Sequence, residues 1–182
     1  MKEAGSIQTD KPALSMNKEK ILVVGSGARE HAICRSIFRS NKPHDLFCLG
    51  SNNNPGIIST CSTFQVDDIN NPEIVLSFAR KTGCTTAVIG PENPLSEGVA
   101  DLLDKHGLNV IGPKKKLAQI ETSKSFTRSL QKEYSIPGAP IYQAFDSMDG
   151  VNEFLNLLGE DFVVKYDGLA GGKGVKVSGE HL

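Results

Sequence analysis

KILVVGSGAREHAI, residues 20–33, passes from a β-branched run through two glycines into a segment of helical spacing. A short apolar run bounded by turn glycines, here 20–24, reads as a buried parallel strand. Ile33, Ile37 and Phe38 then recur as one face of a helix over 28–40. Gly25 and Gly27 permit a tight strand-to-helix turn, and the free N–H groups at the helix start attract anions. A dinucleotide fingerprint wants a third glycine where Glu30 stands. It also wants an acidic residue ending the second strand, where this chain has LGSN (49–52). A small phosphate-bearing ligand is therefore favoured over nicotinamide or flavin, with a plain turn carrying surface charges as the other reading.

The same alternation continues down the chain. DLFCLG (45–50) reads as a second strand and SNNNPG (51–56) as a loop. NPEIVLSFARKTG (71–83) is a helix with Asn71 as cap, Pro72 at its first position and Gly83 as its stop. Its apolar face is Ile74, Val75, Phe78 and Ala79. TTAVIG (85–90) is a third strand, and NPLSEGVADLLDKHG (93–107) repeats the helix device from Asn93 to Gly107. LNVIG (108–112) is the fourth strand. Strands and helices alternating at these lengths predict an α/β fold, a Rossmann-like parallel sheet with helices on both faces. Such sheets bind ligands beyond the carboxyl ends of their strands, where GSGAREH (25–31), GSNNNPG (50–56) and GPENPL (90–95) should gather. Glu92 in the last loop either complements the helix dipole or holds an amine or ribose hydroxyl.

After Pro113 the style changes. Residues 114–137 read as a short helix and a longer one ended by Pro137. SMDGVNEFLNLLG (147–159) reads as a helix with Met148, Val151, Phe154, Leu155 and Leu158 inward. DFVVKYDGLAGGKGVKV (161–177) reads as two strands joined by a glycine-rich turn. Lys173 is followed by Gly174, so the hydroxyl of a Walker A loop is missing. What remains is a hairpin whose backbone N–H groups suit polyphosphate, with Lys165 a cation on the preceding strand. A mobile tip with solvated lysines is the plainer alternative.

Composition narrows the partners. A formal net charge of -1 and few aromatics give no reason to propose nucleic acid, and no apolar run spans a membrane. Cys34, Cys48, Cys61 and Cys84 lack metal-knuckle spacing and read as reduced thiols. Residues 1–19 have no apolar leader and read as a disordered tail, so the expected location is cytoplasmic.

KILVVGSGAREHAI, GPENPLSEGV, VIGPKKKLAQIETSKSFTR and FVVKYDGLAGGKGV, taken in order, resemble the phosphoribosylamine–glycine ligase family of the ATP-grasp superfamily. The resemblance runs from about Lys20 to the end. It implies a pre-ATP-grasp domain over 20–121 and the incomplete first part of an ATP-grasp domain over 122–182. It implies ATP-dependent joining of glycine to 5-phosphoribosylamine in purine biosynthesis, with Mg2+ or Mn2+ held by residues beyond Leu182. Further purine-pathway domains fused to the chain would fit the family. Gly25, Gly27, Arg29, Glu30, His31 and Glu92 match the phosphoribosylamine side. Lys124, Lys165, Gly168, Gly171, Gly172, Lys173 and Gly174 match the ATP side. Ala28 stands where the family usually carries glycine, and GSNNNPGI where it carries PGNAGT. The chain is expected to be inactive alone. A dinucleotide-binding oxidoreductase and a non-catalytic nucleotide-binding adaptor are the rival readings.

Overall fold

The computed structural model describes residues 18–181. Its centre is a five-stranded parallel sheet of β1 (Glu19–Val24), β2 (His44–Gly50), β3 (Thr63–Val66), β4 (Thr86–Ile89) and β5 (Asn109–Ile111). The order is β3-β2-β1-β4-β5. The chain thus runs outward from β1 to β3, then returns to β4 on the other side of β1. That reversal opens a crevice between the carboxyl ends of β1 and β4, the place where open α/β sheets take ligands.

Strand side chains alternate between two cores, which explains the continuous apolar runs. Leu22 and Val24 of β1, Leu49 of β2 and Ala87 of β4 face one side. There they meet α3 (Pro72–Thr82), α4 (Glu92–Glu97) and α5 (Val99–Lys105) through Val75, Leu76, Leu95 and Leu103. Val23 and Cys48 face the other side, against Cys34 of α1 (Ala28–Phe38) and Ile57 of α2 (Pro55–Ile58). Leu22, Leu49 and Leu103 are fully buried, each contributing about 1.5–3 kcal/mol.

The predicted caps of α3 hold: Asn71 Oδ1 accepts from Glu73 N at 3.0 Å, and Gly83 takes the left-handed conformation at φ 69°. Its buried face adds Leu76 to the expected set. Elsewhere the structure corrects the reading. β3 lies in a stretch for which the sequence predicts no strand; it is a four-residue edge element whose ends are exposed, so its pattern is short and weakly apolar. Part of the 51–56 loop enters α2, because Asn54 Oδ1 caps it by accepting from Gly56 N at 3.0 Å. The single helix over 93–107 is two. Gly98, at φ 89°, separates α4 from α5, and α4 begins at Glu92, so Asn93 lies inside the first turn and caps nothing. Pro94 is tolerated there because its missing N–H would have had no intrahelical partner. Phe38 is 57% exposed at the end of α1; Cys34 and Glu30 are the buried residues of that helix. Of the stretch expected as a disordered tail, Glu19 opens β1 and Lys18 pairs with Asp45, and residues 1–17 lie outside the described residues.

The first region closes with α6 (Lys115–Thr122), whose Ala118 is buried in the core of the sheet and which packs on α4. Then follow α7 (Lys124–Glu133), α8 (Val151–Leu158) and an antiparallel pair, β6 (Val163–Lys165) with β7 (Val175–Val177). The two helices over 114–137 are present as read. The second stops ahead of Pro137, where Ser135 turns to φ 52°. α7 and α8 bury no residue completely, and Met148, expected inward, is 76% exposed just ahead of α8. Among the described residues no helix is long and apolar enough to cross a membrane.

Candidate functional site

The turn after β1 is held from both sides. Gly25 N donates to Leu49 O at 2.8 Å, and Gly90 N donates to Val24 O at 3.1 Å. Ser26, buried, donates from Oγ to Asn52 Oδ1 at 3.1 Å. Asn54 Nδ2 donates to Ser26 O at 2.9 Å. The asparagine-rich loop therefore clamps the first turn, and Gly25, Ser51 and Glu92 gather at one sheet edge as the strand topology requires. Ser26 escapes a reading of the sequence because a serine between two glycines carries no signal of burial.

Glu30 is only 3% exposed. Its Oε2 accepts from Gly27 N at 2.6 Å, which ties the helix entrance shut on itself. Its Oε1 is buried and makes no hydrogen bond, with Arg29 Nε the nearest cation at 3.8 Å. A Cβ at Gly90 would stand 2.1 Å from that oxygen, and one at Gly25 would stand 2.7 Å from Glu30 Cγ. The glycines at the crevice thus make room for this carboxylate. It fills the place where a dinucleotide turn would carry its third glycine. Arg29 reaches outward and donates from Nη2 to Glu92 Oε2 at 3.1 Å, bridging the β1–α1 and β4–α4 loops. Glu92, the first residue of α4, has its carboxyl held below the ordinary range by its own backbone N–H and by Arg29, against the opposing effect of burial. His31 lies over the α2 loop, where a Cβ on Gly56 would meet its ring at 2.2 Å.

Behind the turn, Cys34 and Cys48 are buried with Cys61 packed against them, and Cys48 Sγ donates to Gly25 O at 3.2 Å. Hydrogen bonds from Cys34 and Cys48 lower the Cys61 thiol to about 4. The same contacts and burial raise Cys48; in Cys34 the bond to Cys48 works downward, but the bond to Cys61 and burial prevail. Among the described residues no group of three or more His, Cys, Asp or Glu is placed to hold a metal ion.

The second set of residues meets at α7. Ser123 caps that helix by accepting from Phe126 N at 3.1 Å. Asp167, at the root of the hairpin, accepts from Lys124 N at 2.6 Å and Ser125 N at 3.2 Å on Oδ1. On Oδ2 it takes the Ser123 hydroxyl at 3.2 Å and the Ser125 hydroxyl. Lys124 Nζ donates to Gly168 O at 2.8 Å. Gly168, Gly171 and Gly172 lie at φ 139°, 52° and 79°, conformations that side chains rarely adopt. Gly174 instead is crowded, since a Cβ there would stand 2.8 Å from Ala170 Cβ. Lys165 and Lys173 are exposed, Lys165 at the end of β6 two residues before Asp167. The sequence alone does not single out Asp167, although an N-cap serine in TSKSF marks the helix end it serves.

An open cleft of about 420 Å³ joins the two regions, lined by Asn70, Asn93, Ser96, Glu97, Thr122 and Leu169. Leu169 belongs to the hairpin and the first four residues to loops and helix on the sheet edge. A smaller hollow of about 240 Å³, between Gln65 and Lys81, lies apart from all of these residues.

Comparison with known proteins decides the family. The model for the N domain of phosphoribosylglycinamide synthetase matches residues 19–121, and that for its ATP-grasp (A) domain matches residues 122–181. The chain belongs to the phosphoribosylglycinamide synthetase family. Phosphoribosylamine–glycine ligases from Methanosphaera stadtmanae and Methanobrevibacter smithii are 44% and 45% identical to it, each over 90% of this chain and 36% of their own length. The chain thus spans about a third of the relatives it matches. N5-carboxyaminoimidazole synthetase from Staphylococcus aureus, solved with ADP, superposes with a TM-score of 0.71 at 17% identity, covering 90% of this chain and 42% of that one. Phosphoribosylglycinamide synthetase from Anaerococcus prevotii superposes at 0.57 and 15% identity, over 89% and 39%. These two likenesses concern the fold. Membership of the synthetase family sets aside the oxidoreductase reading.

Proposed function

We propose that this chain supplies the phosphoribosylamine-binding domain, residues 20–121, and the first part of the ATP-grasp domain, residues 122–182, of a phosphoribosylamine–glycine ligase. The reaction is ATP-dependent joining of glycine to 5-phosphoribosylamine, giving glycinamide ribonucleotide, ADP and phosphate through a glycyl phosphate. The observation that carries this reading is the presence of two chemically different loop sets, Arg29–Glu92 at the sheet edge and Lys124–Gly168 at the hairpin, in one chain matched by both family domains.

Each set has a task that follows from its chemistry. The first-turn N–H groups of α1 suit the 5-phosphate, since a helix N-terminus carries partial positive charge. Glu92, kept ionised and fixed by Arg29, suits the amine or a ribose hydroxyl and would orient the amine toward the acyl phosphate. Lys124 and Lys165 would neutralise charge on the transferred phosphoryl group. The Gly168–Gly174 segment would cover the nucleotide and exclude the water that would otherwise hydrolyse the acyl phosphate. The magnesium or manganese implied by the resemblance would supply positive charge against the ATP phosphates, and among residues 18–181 no group of three or more His, Cys, Asp or Glu is placed to hold it.

Nuclear magnetic resonance titrations of the chain test the reading. Glycinamide ribonucleotide should shift amides of 25–31, 50–56 and 90–95, and ADP those of 123–126 and 165–174. No saturable change at the sheet edge with the ribonucleotide, or saturable binding of NADH there instead, would overturn it. The chain alone should release no ADP when given ATP, glycine and phosphoribosylamine; rapid release would contradict the division of residues given above.

A further inference from the structure

We infer that Asp167 is the positioning residue of the nucleotide grip, locking the hairpin root onto α7 so that Lys124, Lys165 and the glycine cover move as one unit. The inference rests on the ATP-side reading above and assigns a role to a residue outside the expected lysines and glycines.

Three observations carry it. Asp167 occupies the α7 entrance, accepting two backbone N–H groups and two hydroxyls, so the carboxylate is saturated by protein donors. Those donors hold its carboxyl below the usual aspartate range even though its partial burial acts the other way. Asp167 also sits between Lys165 and Gly168 in the chain, and Gly168 O takes the Lys124 ammonium at 2.8 Å. One side chain thereby sets the spacing of both lysines and the start of the cover. Without it the link between α7 and the hairpin reduces to the single Lys124–Gly168 bond, which nucleotide phosphates would compete for.

Electrostatics and positioning predict opposite signs, and this makes the role testable. A carboxylate beside a polyphosphate repels it, so deleting the charge should tighten ADP binding if Asp167 matters only through its field. If it positions the grip, deletion weakens binding despite the lost repulsion. Asp167→Ala removes every contact. Asp167→Asn keeps the oxygen that accepts from Lys124 N and Ser125 N, and its amide can donate to the serine hydroxyls.

The experiment titrates ADP with magnesium, and separately ribose 5-phosphate, into the full chain and each variant, followed by amide shifts. Asp167→Ala is expected to bind ADP about tenfold or more weakly, as for loss of a charge-assisted anchor, with ribose 5-phosphate unchanged. Asp167→Asn is expected to recover affinity to within about threefold of the parent chain, and Ser125→Ala to fall between the two. ADP affinity that is unchanged or raised in Asp167→Ala overturns the inference. So does equal weakening by the alanine and asparagine variants. Should the parent chain show no ADP shifts at 165–174, the ATP-side reading itself fails. Loss of ribose 5-phosphate binding in Asp167→Ala would mark a general folding defect and count against a local role; Ser125→Ala then decides by whether ADP alone is weakened.

Discussion

Replacing Gly90 by alanine would set a methyl carbon 2.1 Å from Glu30 Oε1 and 2.6 Å from its Cγ and Cδ. Neither the strand nor the carboxylate has room to yield. Gly90 N is bonded to Val24 O, Glu30 is 3% exposed, and Gly25 and Gly27 lie against its other side. Overpacking of this kind costs about 1–3 kcal/mol. Moving Glu30 aside also breaks its 2.6 Å bond from Gly27 N, a charge-assisted contact worth about 1.5–3 kcal/mol. Part of each cost relaxes, so the sum expected is roughly 2–4 kcal/mol. For a chain of this length that is a fall in Tm of roughly 5–15 °C. Calorimetry and urea unfolding of Gly90→Ala, Glu30→Ala and the double variant form the assay. The double variant should be more stable than the two single costs predict, by about 1–3 kcal/mol, because the clash has lost one partner. The reasoning is refuted if Gly90→Ala melts within about 1 °C of the parent, or if it costs as much in the Glu30→Ala background as in the parent chain.

Asn71→Ala should cost about 0.5–2 kcal/mol in urea unfolding, since it strips the cap bonds to Glu73 N and Ile74 N. Asp167, Glu92 and Glu19 all have folded-state values held below their ordinary ones. Their contribution to stability is therefore complete above the unfolded values of 3.8 and 4.5 and is lost as pH falls through the lower folded ones. Urea midpoints flat above about pH 5 and falling below it would bear this out; midpoints rising on acidification would contradict it. Iodoacetamide should modify Cys61 ahead of Cys34 and Cys48, because Cys61 is the less buried and its thiol is lowered by hydrogen bonds from Cys34 and Cys48 while theirs are raised. Peptide mass mapping after brief labelling would count against that ordering if Cys34 or Cys48 reacted first. Arg29→Ala should change stability by less than about 1 kcal/mol, since its pair with Glu92 is exposed, yet weaken glycinamide ribonucleotide binding at the sheet edge.

Much of the sheet was legible because a buried parallel strand must be apolar on both faces. Leu22–Val24, Leu46–Leu49 and Ala87–Ile89 announce themselves by that run alone. Asn71, Pro72 and Gly83 bracket α3 for an equally local reason, the orphan backbone groups at helix ends. The convergence of the loops after β1, β2 and β4 also follows from the alternation of strands and helices, since parallel strands leave all their carboxyl ends on one edge.

What escaped depends on neighbours far along the chain. Thr63–Val66 forms β3 only because β2 offers it a free edge. The inward turn of Glu30 depends on the absence of a side chain at Gly90, far along the sequence. The role of Asp167 depends on α7 presenting its N–H groups to the hairpin root. Periodicity and capping are written in the local sequence because they answer to backbone geometry within a few residues. The partner of a charged side chain is chosen by packing, and packing between distant segments exists only once the chain has folded.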